Sequence, residues 1–348
     1  MTVIPVLAVE LGDYWVQTLI KTVVVLVLVP TSTAIIVQTF LFKMMAHMQS
    51  RLGPMEAGPH GSLQLMADGA KFLQKELTAP ARADRRVFAM APVVVLLSTF
   101  LLYVVIPAGP DLIAEDLDVG VFFALAVSSI SVLGILMAGW ASANKYALIG
   151  GLRAAGQLLA YELPLVLAVV GVVIQAETFS LQGIVRAQAE TDTFGISWLP
   201  LPYILTQFVG FGLFLVATQA ELTQTPFDMP VAESELVAGY QVEYSGLRFL
   251  FFYIGEFGTA FAFSAIAASL FLGGWWLPGL DLDGGLLSNV LGPIVLFAKA
   301  MLVAALIFWI RFTYPRFRED QLQTFAWKYL IPLSLVNILV TAVFKVVF

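Results

Sequence analysis

Cysteine is absent from all 348 residues. The chain alone therefore builds no disulfide framework, thiolate metal site or iron–sulfur ligation. Histidine is almost absent: His47 and His60 are the whole supply. Two imidazoles make no metal site by themselves, and both suit loop positions near a membrane surface. Charge is scarce as well. Only 12% of residues are Asp, Glu, Lys or Arg, about half the roughly 25% of soluble domains. Alternating ten-residue strands are missing, which excludes a closed membrane barrel. No linker, low-complexity block, internal repeat or basic–aromatic pattern is visible, and nothing suggests nucleic acid.

Apolar residues fill the space. They make up 59% of the chain, and mean hydropathy is +0.89. They come in runs near the ~20 residues that a span needs. Eight candidates are Val16–Phe42, Val87–Ile106, Val121–Ala141, Leu158–Val173, Leu201–Ala220, Phe249–Leu272, Val290–Ile310 and Phe325–Val347. Backbone groups in lipid must pair within their own segment, so helices are expected. The fourth run is short and the first long, so tilt or a bent end is expected. The first begins with Glu10 and Asp13 rather than a basic region, so it reads as a mature span, not a leader. The fold class is therefore all-α: a polytopic membrane protein with about eight transmembrane helices and a cytoplasmic-side amphipathic helix. A single membrane domain is expected over residues 1–348.

Lysine and arginine set the orientation. Arg51, Lys71, Lys75, Arg82, Arg85 and Arg86 follow the first span; Lys145 and Arg153 follow the third; Arg311, Arg316, Arg318 and Lys328 follow the seventh. The opposite loops are acidic, with Asp111, Glu115, Asp116 and Asp118 in one and Asp281 and Asp283 in another. The basic side is cytoplasmic, and with eight spans both ends lie outside. Two cytoplasmic connections are long enough to have structure. In residues 62–77, SLQLMADGAKFLQKEL, the residues Leu63, Met66, Ala67, Ala70, Leu73 and Leu77 share a helical face opposite Gln64, Asp68, Lys71 and Lys75. That helix is too short and too charged to span, so it belongs in the interface or against partner helices. The Gly- and Pro-rich RLGPMEAGPHG before it forces turns.

The other connection, residues 221–248, breaks the charge pattern. TPFDMPVAESELVAGYQVEY carries Asp228, Glu233, Glu235 and Glu243 on an otherwise basic side. Thr225-Pro226-Phe227-Asp228 reads as a helix start that Pro230 interrupts. A helix is expected to resume with Val237, Tyr240, Tyr244 and Leu247 on one stripe. Asp228 as a cap, with Glu233 and Glu235 complementing a helix N-terminus, is the plain reading. The other is a polar pathway, because Glu162, Glu256 and Lys299 sit inside spans and Glu221 ends one. A charge at mid-bilayer costs about 2.5–3.5 kcal/mol even on a lenient scale, so it normally faces a polar interior. A chain of carboxylates would suit proton relay. Pro164 is read equally as a pathway kink or an ordinary one. Arg51 with Gly53 and Pro54 suits either a membrane-surface anchor or a site for a polar headgroup or partner carboxylate. Gly150-Gly151 with Arg153 reads as a tight turn.

Taken in order, SRLGP, LMADGAKFLQKE, GWASANKYALIGGLRAAGQLLAYELP, TPFDMPVAESELVAGYQVEYSGLRF and RFTYPRFREDQLQTFAWKYLIP resemble the H-type membrane subunit of respiratory complex I, the equivalent of mitochondrial NADH dehydrogenase subunit 1. The likeness runs from about Lys43 to Ile331. It implies a subunit of a proton-pumping NADH:quinone oxidoreductase in a bacterial cell membrane, with no self-contained catalytic centre. Arg51, Gly53, Pro54, Phe227 and Asp228 would line or shape the quinone chamber. Glu162, Glu221, Glu233, Glu235 and Glu256 would belong to the acidic proton or coupling path. No cofactor would be bound by this chain alone: quinone is the substrate, and the iron–sulfur cluster sits in partner subunits. The implied partners are the peripheral-arm quinone-site and iron–sulfur subunits, small and antiporter-like membrane subunits, and lipid. The chain departs from the family's pattern in places. Leu41-Phe42 stands where a Glu-Arg pair is usual, Glu56 replaces an arginine, Thr223 and Gln224 replace Asn and Arg, and Val231 replaces a glutamate. Two alternatives accompany this reading. One is the equivalent subunit of an energy-converting hydrogenase, which nickel and hydrogen oxidation would reveal. The other is a proton-coupled secondary transporter, which solute uptake by the isolated chain would reveal.

Overall fold

The computed structural model describes residues 14–190, 202–277 and 286–347. Glu10, Asp13, Leu201, Asp281 and Asp283, used above, lie outside the described residues. Every regular element within them is helical. Helix α1 (Tyr14–Ile36) runs through a π-helical stretch, Val37–Met44, into α2 (Met45–Met48). Then follow α3 (Gln64–Gln74), α4 (Arg85–Val104), α5 (Gly120–Ala141), α6 (Lys145–Ala176), α7 (Leu181–Glu190) and α8 (Phe208–Glu221). The chain continues with α9 (Glu233–Leu236), α10 (Gly246–Phe271), α11 (Leu286–Thr313), α12 (Glu319–Phe325) and α13 (Ile331–Val347).

Among the described residues, seven helices are long and apolar enough to cross a membrane, and α8 is a shorter apolar eighth. The expected fourth span is the long one. Polar residues at its start hid a helix of 32 residues. The expected fifth span is the short one. At 14 residues it extends about 21 Å, against about 30 Å of hydrocarbon. Its first part is replaced by a turn whose backbone is satisfied by protein: Ile204 N–H donates to Phe271 O at 2.8 Å and Tyr203 N–H to Gln188 Oε1 at 3.1 Å. Irregular backbone is tolerated at membrane depth only when sheltered in this way. Gln188 belongs to α7, which hydropathy did not reveal because it is short and half polar.

Two helices organise the bundle. Helix α6 packs against α5, α8 and α13, and α10 against α1, α4 and α11. Small residues permit the close approaches: a Cβ at Gly258 would lie 2.9 Å from Thr99 and 3.0 Å from Thr33, which is how helices approach in lipid. Hydroxyls stitch the same seam. Tyr103 donates to Gly258 O at 2.9 Å, and Thr99 and Thr259 are 2.9 Å apart. Lys299 has a local partner set at the end of α10. Its ammonium donates to Leu272 O at 2.6 Å and to Trp276 O, so it neutralises the carbonyl end of α10. Helix α3 lies against α10, with Phe72 stacked on Phe249 at 5.7 Å, and leaves Met66 and Leu73 exposed.

Candidate functional site

One end of the bundle gathers the connections that the charge pattern assigned to the cytoplasm. Thr78 meets Ser245 at 2.9 Å, Asn144 donates to Glu243 at 2.6 Å, and Phe317 N–H donates to Pro226 O at 3.1 Å. The acidic stretch 222–245 lies at this meeting point. It is not the expected helix. Residues 222–232 form turns, and Phe227 is buried edge-on to Tyr161 at 5.1 Å and against Phe317 at 5.5 Å. Helix α9 has a single turn, and Val237 ends it with φ +65° and an exposed side chain. The expected Val237–Leu247 stripe therefore does not exist. Tyr240 and Tyr244 are both buried edge-on to Phe252, at 5.5 and 4.9 Å, and Tyr244 also stacks on Phe88 at 4.0 Å. Burial pushes both phenols up, and Glu256 adds to the effect at Tyr240.

Backbone packing imposes this course. Gly239 has φ +51° and touches the Pro230 carbonyl; Gly150 lies against Gly239 and Tyr240 N. Gly150 and Gly151 are therefore not a tight turn. Both lie inside α6, which begins earlier, capped by Asn144, whose side chain accepts from Tyr146 N–H at 2.8 Å; Gly150 is the flat place that receives the acidic loop, whereas Gly151 lies against Gly139 of α5.

Each acid has a defined place. Asp228 accepts from Arg316 at 2.8 Å, and Arg316 also reaches Ser234 at 3.2 Å. Burial holds the Asp228 carboxyl above its ordinary value despite Arg316, with Glu233 adding to the rise. Its proton affinity is thus higher folded than unfolded. The matching stability is fully present below the ordinary value of 3.8 and is lost as pH rises through the raised folded value. Arg316→Met, which strands a carboxylate, is expected to cost about 1–3 kcal/mol. Asp228→Asn, which removes that carboxylate, is expected to cost less than half as much. Melting of the intact complex compares the two, and the Arg316→Met defect should shrink on mild acidification.

Glu235 pairs with Arg153 at 2.6 Å, and Arg153 also lies 3.7 Å from Glu319. Glu233 is exposed beside an open cleft of about 780 Å³, lined by Thr225, Glu233, Ser234, Glu235, Tyr314, Pro315 and Arg316. Glu243 is an anchor, holding the Asn144 cap. Deeper in, Glu256 accepts from Gln224 at 2.6 Å and lies 4.0 Å from Arg311. The Arg311 guanidinium sits over Phe257, Phe308 and Phe312 at 5.7–6.0 Å. Glu162 does not face lipid: it accepts from Ser129 of α5 and lies within electrostatic reach of Glu221. Glu221 Oε2 is buried with no hydrogen-bond partner among the described residues.

The five chamber candidates form two groups. Phe227 and Asp228 sit with Arg316 and Phe317. Arg51 is exposed, with its Nε on Gln49 at 2.8 Å, and Gly53 has φ +71° because its Cα faces the Phe42 carbonyl. Lys43 fixes the Pro54 carbonyl at 2.7 Å. No hydrogen bond or ion pair among the described residues joins the groups. Sequence reading missed Arg153, Arg311 and Arg316 as partners of the acids, because the topology count absorbed them as loop charges. It also missed Ser129, and Gln157, whose amide donates to Ala220 O at 2.7 Å next to Glu221 in the chain; no sequence signal exists for either. The acidic stretch lacks cations of its own because α6, α11 and the segment after α11 supply them.

The family model described as NADH dehydrogenase matches residues 20–342. Proteins named as the H-type subunit of NADH-quinone oxidoreductase are similar over most of their length. The one from Brevibacillus brevis is 46% identical over 86% of this chain and 85% of its own. That from Dehalococcoides mccartyi is 41% identical over 95% and 88%, and that from Phocaeicola vulgatus 40% over 94% and 92%.

Proposed function

The chain belongs to the NADH dehydrogenase family of membrane subunits, and from that premise we propose that it forms the membrane entrance of a quinone chamber and the start of an acidic proton or coupling path. It is a multi-pass subunit of an NADH-quinone oxidoreductase-type complex. It has no redox centre of its own in this proposal; the iron–sulfur cluster and the groups that bind the quinone head belong to neighbouring peripheral subunits. The carrying observation is the graded set of acids at one end of the bundle. Glu233 and Glu235 lie beside an open cleft, Asp228 is half-buried on Arg316, and Glu256 lies deeper between Gln224 and Arg311. Acids arranged from solvent into the spans allow a change of charge near the loop to be felt inside the bundle, since Asp228 interacts electrostatically with both Glu233 and Glu256. Arg51, Gly53, Pro54 and Phe227 supply chamber wall in this proposal, and Glu162 and Glu221 continue the path along α6 and α8.

A photoreactive quinone bound to the purified complex tests the chamber. Labelled peptides should include residues 51–54 or 225–228, and peripheral iron–sulfur and antiporter-like subunits should copurify. Labelling confined to other parts of this chain would overturn the chamber assignment. Nickel with hydrogen oxidation in the purified complex would move it to the hydrogenase class.

A further inference from the structure

We propose that Gln224 is a positioning residue that holds Glu256 off Arg311, giving Arg311 two stations: the phenyl cage it occupies here and an ion pair with Glu256. The proposal rests on Glu256 belonging to the acidic path.

Gln224 is 1% exposed, and its amide nitrogen donates to Leu222 O at 3.1 Å and to Glu256 Oε1 at 2.6 Å. The amide is thus tied to the backbone of the turn after α8 while it holds a carboxylate on α10. The same Oε1 lies 4.0 Å from Arg311 Nη1, beyond hydrogen-bonding distance. Arg311 Nη1 and Gln224 Oε1 are both buried without a hydrogen-bond partner among the described residues. A single carboxylate oxygen is therefore bonded by an amide whose own oxygen is orphaned, with an orphaned guanidinium donor 4.0 Å away. A buried guanidinium nitrogen beside a carboxylate normally closes into a charge-assisted bond. Here Gln224 takes that oxygen, and Phe257, Phe308 and Phe312 offer the cation their ring faces instead.

The two stations respond oppositely to charge. A proton on Glu256 removes the attraction for Arg311 and leaves the ring cage favoured. A bare carboxylate draws Arg311 across a gap of little more than an ångström. The other titratable groups facing Glu256 are Asp228 in the turn, Tyr240 after α9 and Tyr253 on α10. Asp228 also acts on Arg311, so charge arriving at the loop biases the same switch. Gln224 sets the threshold because its bond must yield before the ion pair forms.

The test uses the intact complex in sealed vesicles. Q224M keeps the length but removes both donors; Q224N keeps an amide but withdraws it from the carboxylate. Both are expected to lower protons moved per quinone reduced by at least half, and Q224M/R311K should be no worse than Q224M alone. In the redox-difference infrared spectrum, a carboxyl band absent from E256Q should be shifted in Q224M, which loss of packing alone would not produce. Should Q224M fail to assemble, Q224N carries the same expectation. Normal pumping and an unshifted band in the Gln224 variants, with E256Q impaired, would overturn the switch alone. Normal pumping by E256Q would overturn the path and the switch together.

Discussion

A Glu162→Gln complex is expected to assemble and reduce quinone, yet to move protons at least about tenfold more slowly. A positioned proton-transfer group typically contributes roughly 10²–10⁴-fold, and the lower figure allows for partial bypass. Glutamine keeps the length of the side chain and still offers an oxygen to Ser129, the partner Glu162 has here. Packing around α5 and α6 therefore changes little. What disappears is a group able to take and release a proton, placed within electrostatic reach of Glu221. An ionisable residue inside a span costs several kcal/mol unless sheltered. Glu162 has that shelter, because it faces α5 rather than acyl chains. Glu162→Asp should recover part of the rate, since the chemistry survives on a shorter stem. The check is fluorescence quenching of a pH indicator in sealed vesicles, normalised to quinone reduced. Parental pumping by the glutamine variant would remove Glu162 from the path.

The largest structural effect is expected at Gly239. Gly239→Val should abolish accumulation of the assembled complex, with a cost above about 4 kcal/mol. Two penalties coincide there. A β-branched residue at φ +51° is strained by about 1–3 kcal/mol. Its Cβ would also overlap the Pro230 carbonyl, and the backbone has little room to retreat, because a Cβ added at Gly150 of α6 would already lie 2.7 Å from Gly239 Cα and 2.8 Å from Pro230 O. The loop would lift, withdrawing Tyr240 and Tyr244 from Phe252 and Phe88 and releasing Asp228 and Glu235 from their arginines. Gly150→Leu should fail for the same reason. Gly212→Ala is the control: an added Cβ there meets nothing within 4 Å, so assembly should be unaffected. Immunoblots of native membranes give the amounts, and proteolysis of the 231–245 loop reports detachment. A normal, protease-resistant Gly239→Val complex would show that the loop does not dock on α6.

Hydropathy made the apolar helices legible without help from folding. Each span must satisfy its backbone alone, so its signal is local. Helix limits were less legible, since Lys145, Arg153 and Gln157 dilute the hydropathy at the start of α6 although Asn144 caps a helix there. Periodicity failed in the acidic loop for a related reason. Val237, Tyr240, Tyr244 and Leu247 have helical spacing, but Gly239 and Gly246 take left-handed φ values that close packing demands and spacing cannot express. The identity of the acids was visible in the chain; their partners were not. Arg153, Arg311 and Arg316 are 82, 55 and 88 residues from Glu235, Glu256 and Asp228, and a pairing over such separations exists only once α6, α10 and α11 have assembled. Sequence alone decided that carboxylates would sit beside and within an apolar bundle. Tertiary structure decided which of them are neutralised, which are held by neutral amides, and which face an open cleft.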